Sequence, residues 1–151
     1  MADLNPFAQL VPLDHGLVVV STARADGTVQ SSVVNAGVLD HPLTGTPVVG
    51  LVAAAASRRL VNLRARPRAT VVIRAGWNWA GIEGPTQLIG PDDPLDGIDT
   101  ERLRVLLRDV FTAAGGTHED WDEYDRAMAG ERRVAVLVTP DRTFGVAYSA
   151  G

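Results

Sequence analysis

The first half of the chain carries three β-strand patterns in a row, with turn signals and no helical segment between them. Residues 17–23 are rich in β-branched side chains and end at Arg-Ala-Asp-Gly, a turn sequence, after which residues 28–38 resume an extended pattern. A second turn signal at residues 40–47 leads into residues 48–54, which have the pattern of a strand buried on both faces. Strands that follow one another through such turns predict an antiparallel sheet.

The remainder of the chain alternates helical and extended patterns. Helical spacing predicts three helices, at residues 57–66, 99–114 and 117–129. Extended patterns predict four further strands, at residues 69–75, 77–89, 132–139 and 143–148. Seven strands with a few inserted helices predict a mainly β fold, an antiparallel barrel with its helices packed outside. The length of 151 residues predicts a single domain over residues 1–151.

Capping residues indicate where two of these helices begin. Ser57 stands at the N-cap position of the first, and Pro67 closes that helix. The last helix is expected to begin in a capping box formed by Thr117 and Asp120. The side chains of this helix that are expected to face inward are Trp121, Tyr124 and Met128.

The absence of cysteine excludes a disulfide framework, a thiolate metal site and a cysteine nucleophile. The first ten residues have neither the basic nor the apolar region of a secretory signal. The longest apolar run, residues 48–56, is shorter than the roughly 20 residues that span a bilayer. We therefore expect a cytoplasmic protein that does not enter the membrane.

The basic residues are distributed unevenly along the chain. All 14 of them are arginine, in a chain of net charge -4, and residues 41–82 contain six arginines but no aspartate or glutamate. A concentrated basic segment in a mildly acidic protein predicts a local anionic ligand rather than contact with long nucleic acid.

The best candidate for this anion site lies at the start of the helix predicted over residues 57–66. Arg58 and Arg59 directly follow the N-cap Ser57, where free backbone N–H groups and the helix dipole already favour an anion. Two cations at this end oppose the dipole unless a phosphate or carboxylate is bound. The alternative interpretation is a pair of solvent-facing arginines.

Two further sets of residues are candidates for contact with a planar ligand. Trp77 and Trp79 share one face of a predicted strand, where they form either an aromatic wall against a ring or a packing surface in the core or a dimer. Gln30, Ser31 and Ser32 interrupt an otherwise apolar strand. They form either the solvent-exposed face of a barrel strand or a set of hydrogen-bonding groups for a heterocycle or a phosphate.

The histidines do not indicate a catalytic or metal site. His15, His41 and His118 have no partner in a recognised motif spacing, and no glycine-rich phosphate motif occurs. The acidic run after His118 would spread its carboxylates around a helix, which favours a solvated face over a metal site. We therefore expect neither a bound metal nor a catalytic protein nucleophile.

Blocks of sequence along nearly the whole chain resemble the split-barrel flavin and deazaflavin oxidoreductases, the relatives of pyridoxamine 5'-phosphate oxidase. The most specific blocks are S-R-R-L-V-N-L-R-A-R-P-R-A-T-V-V-I at residues 57–73 and W-N-W-A-G-I-E-G-P-T-Q-L-I-G at residues 77–90. The polar strand Q-S-S-V-V-N and the closing strands R-R-V-A-V-L-V-T-P-D-R-T-F-G extend the likeness. It is closest to the branch that uses coenzyme F-420, an 8-hydroxy-5-deazaflavin.

The resemblance implies a homodimer of split β-barrels with a cofactor site in each of two grooves between the subunits. The residues that it places at the cofactor are Ser57, Arg58, Arg59 and Asn62 for the phosphate, Gln30 and Ser32 for the ring or ribityl chain, and Trp77 and Trp79 as residues contributed by the second subunit. Relatives usually have an arginine two places before a lysine in the phosphate block, where this chain has Ser57 and Arg59.

The function that the resemblance implies is hydride transfer between reduced coenzyme F-420 and an electron-poor small molecule, such as an activated alkene, an imine or a quinone-like ring. Because the cofactor carries the hydride, no catalytic nucleophile is required. Arg64, Arg66 and Arg68 either meet the carboxylate-rich tail of the cofactor or form a solvated helix end. The alternatives are an FMN-dependent oxidase or reductase of the same fold, and a non-catalytic module that sequesters a flavin, a deazaflavin or haem.

Overall fold

Six of seven β-strands close into an antiparallel barrel in the structure, a computed structural model that describes residues 2–146. The helices and strands, in chain order, are α1 Asn5–Leu10, β1 Leu17–Ala23, β2 Val29–Asp40, β3 Pro47–Ala53, α2 Arg58–Ala65, β4 Arg68–Ala75, β5 Asn78–Ile89, α3 Thr100–Ala113, α4 Trp121–Gly130, β6 Val134–Val138 and β7 Arg142–Val146. The seven strands and the mainly β fold class with outer helices are as predicted.

Two long strands close the barrel because each of them changes partner along its length. Strand β2 pairs with β1 through residues 29–35 and with β3 through residues 36–40. Strand β5 pairs with β4 through residues 78–85 and with β6 through residues 86–89. The strand order is therefore β4-β1-β2-β3-β6-β5, closing onto β4, while β7 pairs with the first half of β5. The closed antiparallel barrel confirms the strand-based prediction, and its split form is the one that the family resemblance implies.

Two apolar clusters stabilise the fold. The first fills the barrel with alternating side chains of its strands and includes Phe7 of α1 together with Leu60 and Leu63 of α2. The second lies between the outside of the barrel and helices α3 and α4. The hydroxyl group of Tyr124 on α4 donates a hydrogen bond to the Leu107 carbonyl of α3 at 3.0 Å. Burial raises the pKa of Tyr124 to about 12, so this donor stays protonated at neutral pH.

The start of α4 corrects a prediction. The sequence predicts that this helix begins at Thr117, but it begins at Trp121, and the carboxylate of Asp120 accepts a hydrogen bond from the Glu123 backbone N–H at 3.2 Å. Asp120 is therefore itself the N-cap rather than the third helical residue, because a short carboxylate satisfies the free N–H groups of its own helix. The predicted inward residues hold their places: Tyr124 is buried, and Trp121 and Met128 pack against the second cluster.

Trp77 corrects a second prediction, since it lies in a turn and not in a strand. Ala75 of β4 pairs with Asn78 of β5, so Gly76 and Trp77 are the two residues of the turn that joins these strands. Gly76 has a φ of +62°, which a glycine adopts at little cost. The turn leaves Trp77 84% exposed.

Three smaller points complete the comparison with the predicted elements. The short helix α1, with Phe7 and Leu10 buried, was not predicted. Residues 147 and 148 of the last predicted strand lie outside the described residues. Within the described part of the chain, no helix is both long enough and apolar enough to cross a membrane.

Candidate functional site

Helix α2 places the predicted anion-binding residues at one end of the barrel. The Ser57 hydroxyl accepts a hydrogen bond from the Leu60 N–H at 3.4 Å, which makes Ser57 the N-cap, as predicted. Leu60 and Leu63 are 0% and 1% exposed, so they anchor one side of the helix in the barrel. Arg58 and Arg59 consequently occupy the first helical turn, as predicted.

A buried amide links α2 to the first two strands. The Asn62 side chain donates hydrogen bonds to the Thr22 hydroxyl of β1 and to the Gln30 side-chain oxygen of β2, both at 3.0 Å. Both acceptors belong to strands that pair with each other. These bonds hold Gln30 with its carbonyl oxygen toward the helix and fix the position of α2 on the barrel.

Three arginines line one cavity with this amide pair. Arg24, Arg58 and Arg66 surround a cavity of about 510 Å³ together with Gln30 and Asn62. Arg24 Nη1 donates to the Val29 carbonyl at 3.0 Å, and Arg66 Nε donates to the Ala23 carbonyl at 2.8 Å. Backbone oxygens therefore position two of the three guanidinium groups, and no aspartate or glutamate lines the cavity. We call Arg24, Arg58 and Arg66 the arginine cluster.

The arginine cluster differs from most of the other arginines in its charge environment. Seven arginines form ion pairs with carboxylates, namely Arg64, Arg68, Arg104, Arg108, Arg132, Arg133 and Arg142. Among residues 2–146, no carboxylate forms an ion pair with Arg24, Arg58 or Arg66. Hydrogen bonds from Thr28 and, to a smaller extent, the charge of Arg24 lower the pKa of Asp26, so one member of the cluster has a carboxylate nearby. The net positive charge around the cavity attracts an anionic ligand.

Arg59 points away from the arginine cluster into an adjoining cleft. Its Nη1 atom donates to the Ser32 hydroxyl at 2.7 Å, and its Nε atom is buried with no hydrogen-bond partner in the described structure. Arg59 lines this cleft of about 320 Å³ together with Arg133. Burial lowers the pKa of the Arg59 guanidinium, and the positive charge of Arg133 lowers it further. We call this second space the Arg59–Arg133 cleft.

The structure therefore distributes the predicted phosphate and ring residues between two neighbouring spaces. Gln30, Arg58 and Asn62 line the cavity of the arginine cluster, whereas Ser32 is bonded to Arg59 at the second cleft. Gln30 and Ser32 lie two residues apart on one face of β2, a separation of about 7 Å. Ser31 is on the opposite face, where its hydroxyl lies 2.8 Å from that of Ser21.

The two tryptophans lie in a separate place. Trp77 and Trp79 line a small cavity with Arg74 and Gly76, and they do not line either of the two anion-binding spaces within one chain. Trp79 packs edge-on against Phe144 of β7, with the ring centroids 6.1 Å apart. The predicted aromatic contact with a cofactor therefore needs a second subunit.

The remaining arginines of the basic segment differ in their partners. Arg64 and Arg68 form bidentate pairs with Asp93 and Asp141, so they are neutralised within the chain. Arg66 alone of the three proposed tail contacts lines the cavity of the arginine cluster.

Sequence reasoning missed Arg24, Arg133 and Phe111, which line the two spaces. Arg24 directly precedes the Asp-Gly turn, and its position next to the polar strand β2 is a signal that could have found it. Arg133 and Phe111 reach the second cleft from the α4–β6 connection and from α3, and no local sequence feature marks either residue.

The side chains of two of the three histidines form hydrogen bonds with other residues of the chain. His41 is buried, its Nε2 atom lies 2.5 Å from the Gln87 side-chain oxygen, and its Nδ1 atom accepts from the Leu43 N–H at 3.1 Å. His118 Nδ1 accepts from the Asp120 N–H at 3.0 Å. Neither histidine lines the two spaces described above.

Solved structures share the whole fold at low sequence identity. A pyridoxamine 5'-phosphate oxidase-related, FMN-binding protein from Nostoc punctiforme PCC 73102 has a TM-score of 0.64 at 12% identity, covering 95% of this chain and 84% of its own. An F420 reductase has a TM-score of 0.59 at 15% identity, covering 95% and 98%. The heme storage protein HutZ from Vibrio cholerae has a TM-score of 0.56 at 12% identity, covering 95% of both chains.

No protein-family model matches the sequence. The similar structures, together with the closed six-strand barrel and the two strands that change partner, agree on one architecture. This chain has the split-barrel fold of the pyridoxamine 5'-phosphate oxidase-like FMN-binding proteins.

Proposed function

We propose that this protein is an oxidoreductase that binds the deazaflavin coenzyme F-420 and transfers a hydride between the reduced coenzyme and an electron-poor small molecule. The observation that carries the proposal is the arginine cluster, three cationic side chains that form no ion pair among residues 2–146 and that line a cavity along α2. A split-barrel neighbour is an F420 reductase, which supports the choice of cofactor.

The residues present fit a phosphate-bearing flavin or deazaflavin. Arg58 stands in the first turn of α2 and lines the cavity, where its guanidinium group can form charge-assisted hydrogen bonds with a phosphate. Gln30 and Asn62 give the cavity polar groups that suit a ribityl chain.

The protein has three tasks in this proposal. The arginine cluster binds the phosphate, and the hydrogen bonds between Asn62, Thr22 and Gln30 hold that site rigid. Ser32 and Arg59 orient the part of the ligand that continues along β2. When bound, the cofactor supplies the hydride, so the protein needs to position it and to exclude competing reactions.

The proposed site is completed by a second copy of the chain in a homodimer. A row of apolar residues crosses neighbouring strands on the outer face of the barrel. It contains Val33 of β2, Val19 of β1 and Val72 of β4. The row continues at Gly81 of β5, which the ring of Phe144 of β7 covers. Val19 is 41% exposed and Val33 is 63% exposed. An apolar row across five strands is a surface that a second copy would bury. Such a dimer would also bring the exposed Trp77 of one chain toward a partner.

We expect Val19→Glu to convert a dimer into a monomer. A carboxylate in the middle of the apolar row would be buried without a partner in the dimer but hydrated in the monomer. Sedimentation at micromolar concentration measures the change, and circular dichroism checks that the variant is folded. Val105→Glu is the matched control, since Val105 is 42% exposed on α3 and lies outside this row. A wild-type monomer, or a dimer in the Val19 variant, contradicts the proposed interface.

The proposed cofactor is tested by titrating the purified full-length protein with coenzyme F-420 and, separately, with FMN. We expect saturable quenching of deazaflavin fluorescence with one site per chain, and weaker binding of FMN. Oxidation of the reduced coenzyme by a panel of activated alkenes, imines and quinones then tests turnover.

Other outcomes select the alternatives. Protein that retains FMN, shows no response to the deazaflavin and reoxidises in air after reduction by a nicotinamide is the FMN-dependent enzyme. Tight binding without turnover indicates a non-catalytic binding module, and a Soret band after addition of haem identifies haem as its ligand. Absence of binding to all three ligands rejects the proposed function.

A further inference from the structure

We propose that the cavity between α3 and α4 binds a small alkyl carboxylate, a molecule with an unbranched apolar chain and one anionic head group. This space of about 490 Å³ lies on the outside of the barrel, beside the loop that follows β5. We call it the α3–α4 cavity. None of its described lining residues lines the cavity of the arginine cluster or belongs to the apolar row of the proposed dimer. The inference therefore does not rest on the proposed function.

The first observation is that the floor of the α3–α4 cavity is apolar. The floor consists of five side chains from the two helices and from the loop after β5, namely Leu103, Leu107, Met128, Ala129 and Pro91. Leu107 is buried, and Leu103 and Met128 pack against the second apolar cluster. Transfer of an alkyl group from water onto such a surface is favourable. The volume of about 490 Å³ is within the range of small-molecule sites.

The second observation is the length of the walls. On α3 the lining residues extend from Thr100 to Leu107, which is about two helical turns or about 10 Å. On the other side they extend from Asp125 of α4 to Arg133. No aromatic side chain of the described residues lines the cavity, so a flat ring would have no ring on which to stack. Long aliphatic walls favour an extended chain, to which the flexible side chain of Met128 can adapt.

The third observation concerns the charged side chains of the cavity. The six that line it are Glu101, Arg104, Asp125, Arg126, Arg132 and Arg133. Arg104 donates hydrogen bonds to both carboxylates, to Glu101 at 2.9 Å and to Asp125 at 3.0 Å. The hydrogen bonds from Arg104 lower the pKa of Glu101, and those from Arg108 and Arg104 lower the pKa of Asp125. Both carboxylates are therefore ionised and paired at neutral pH, and neither is left to attract a cationic ligand.

Arg126 is the one charged side chain of the cavity that forms no ion pair among residues 2–146. Arg132 pairs with Asp92, and Arg133 pairs with Glu131. An available guanidinium group forms charge-assisted hydrogen bonds with a carboxylate. One available cation beside an apolar floor therefore matches a molecule that carries a single negative charge on an apolar chain.

Met128 provides an NMR signal that reports on this site. It is the only methionine after residue 1, so carbon-13 labelling of the methionine methyl groups gives a single internal methyl signal. The full-length protein is titrated at pH 7 with octanoate, with octanamide as the uncharged analogue and with octylammonium as the cationic analogue. Each is kept below the concentration at which it forms micelles. The three probes share one chain and differ in the charge of the head group.

We expect octanoate to shift the Met128 signal saturably, with one site per chain. Octanamide should bind about fivefold to tenfold more weakly, an effect between that of an exposed ion pair and that of a charge-assisted hydrogen bond. Octylammonium should bind most weakly, because the charge of Arg126 repels it.

Arg126→Gln tests the contact with the head group. We expect this variant to bind octanoate as weakly as octanamide and to bind octanamide as the wild type does. Arg74→Gln is the matched control, because Arg74 is also exposed and without an ion pair in the described part of the chain, but it does not line the cavity.

Ala129→Trp tests the contact with the chain. The indole ring would occupy part of the α3–α4 cavity, so octanoate and octanamide should both bind at least about tenfold more weakly, the effect of removing two or more methylene groups from the floor. Ala127→Trp is the matched control, since Ala127 is also exposed on α4 and does not line the cavity. Thermal unfolding of each variant confirms that it is folded at the temperature of the titration.

Four results overturn the proposal: a Met128 signal that does not respond saturably to octanoate, equal or tighter binding of octylammonium, equal losses in the Arg126 and Arg74 variants, and equal losses in the Ala129 and Ala127 variants. The titration needs no cofactor, so it remains decisive if the protein binds neither the deazaflavin nor FMN.

Discussion

Replacement of Arg58 by alanine should weaken binding of the deazaflavin about 10- to 150-fold. The expected loss is that of a charge-assisted hydrogen bond, about 1.5–3 kcal/mol. Arg58 lies in the first turn of α2 and has no carboxylate partner within the described residues. Its removal therefore deprives the ligand of a positive partner without leaving a carboxylate of the protein unpaired. Equilibrium titration of fluorescence quenching measures the effect. The loss of affinity relative to the wild type should be larger at low salt, because added ions screen exposed charges.

Arg64→Ala is the matched control for this change. Arg64 lies on the same helix, but its guanidinium forms a bidentate pair with Asp93, so we expect the cofactor affinity of this variant to stay within twofold of the wild type. Equal losses for Arg58→Ala and Arg64→Ala would show a general effect of charge and would contradict a phosphate site at the arginine cluster. Arg59→Ala, measured in the same way, tests the sequence-based prediction that Arg59 also binds the phosphate.

Replacement of Gly37 by alanine should destabilise the fold by about 1–3 kcal/mol, a typical effect of forcing extra atoms into a packed interior. A Cβ atom at this position of β2 would lie 2.1 Å from the Ala113 carbonyl oxygen and 2.2 Å from its carbon, at the end of α3. Both contacts are with backbone atoms, so the helix itself must move. Thermal unfolding followed by circular dichroism should show a loss of about 2–4 °C per kcal/mol in a chain of this size.

Gly130→Ala is the control for the glycine change. A Cβ atom at Gly130, the last residue of α4, meets no atom within 4 Å. Alanine has the higher helix propensity, so this variant should be as stable as the wild type or more stable by up to about 1 kcal/mol. A Gly37→Ala variant with wild-type stability would contradict the close contact between β2 and α3.

The elements that the sequence predicted well depend on local interactions. The strands, the N-cap Ser57 of α2 and the helix α3 follow from side-chain alternation, turn residues, a short polar group that bonds to a backbone N–H and helical apolar spacing. Trp77 was placed in a strand because the pairing of Ala75 with Asn78, which makes the turn, depends on the register of two strands. The helix α1 was missed because six residues give too short a pattern, and its burial depends on the barrel strands against which Phe7 and Leu10 pack.

The candidate site also has features that depend on neighbours in the chain and features that depend on tertiary contacts. The sequence by itself determined that the arginines would concentrate at the start of a helix, because an N-cap and the two residues after it are neighbours in the chain. Only the tertiary structure decided which arginines remain available, because their partners are distant in sequence: Asp93 neutralises Arg64 across 29 residues and Asp141 neutralises Arg68 across 73. It also brought Arg133 to Arg59, since the barrel places the residue before β6 beside α2. Charge is a property of the sequence, but the field at a site depends on which charges the fold brings within a few ångströms of one another.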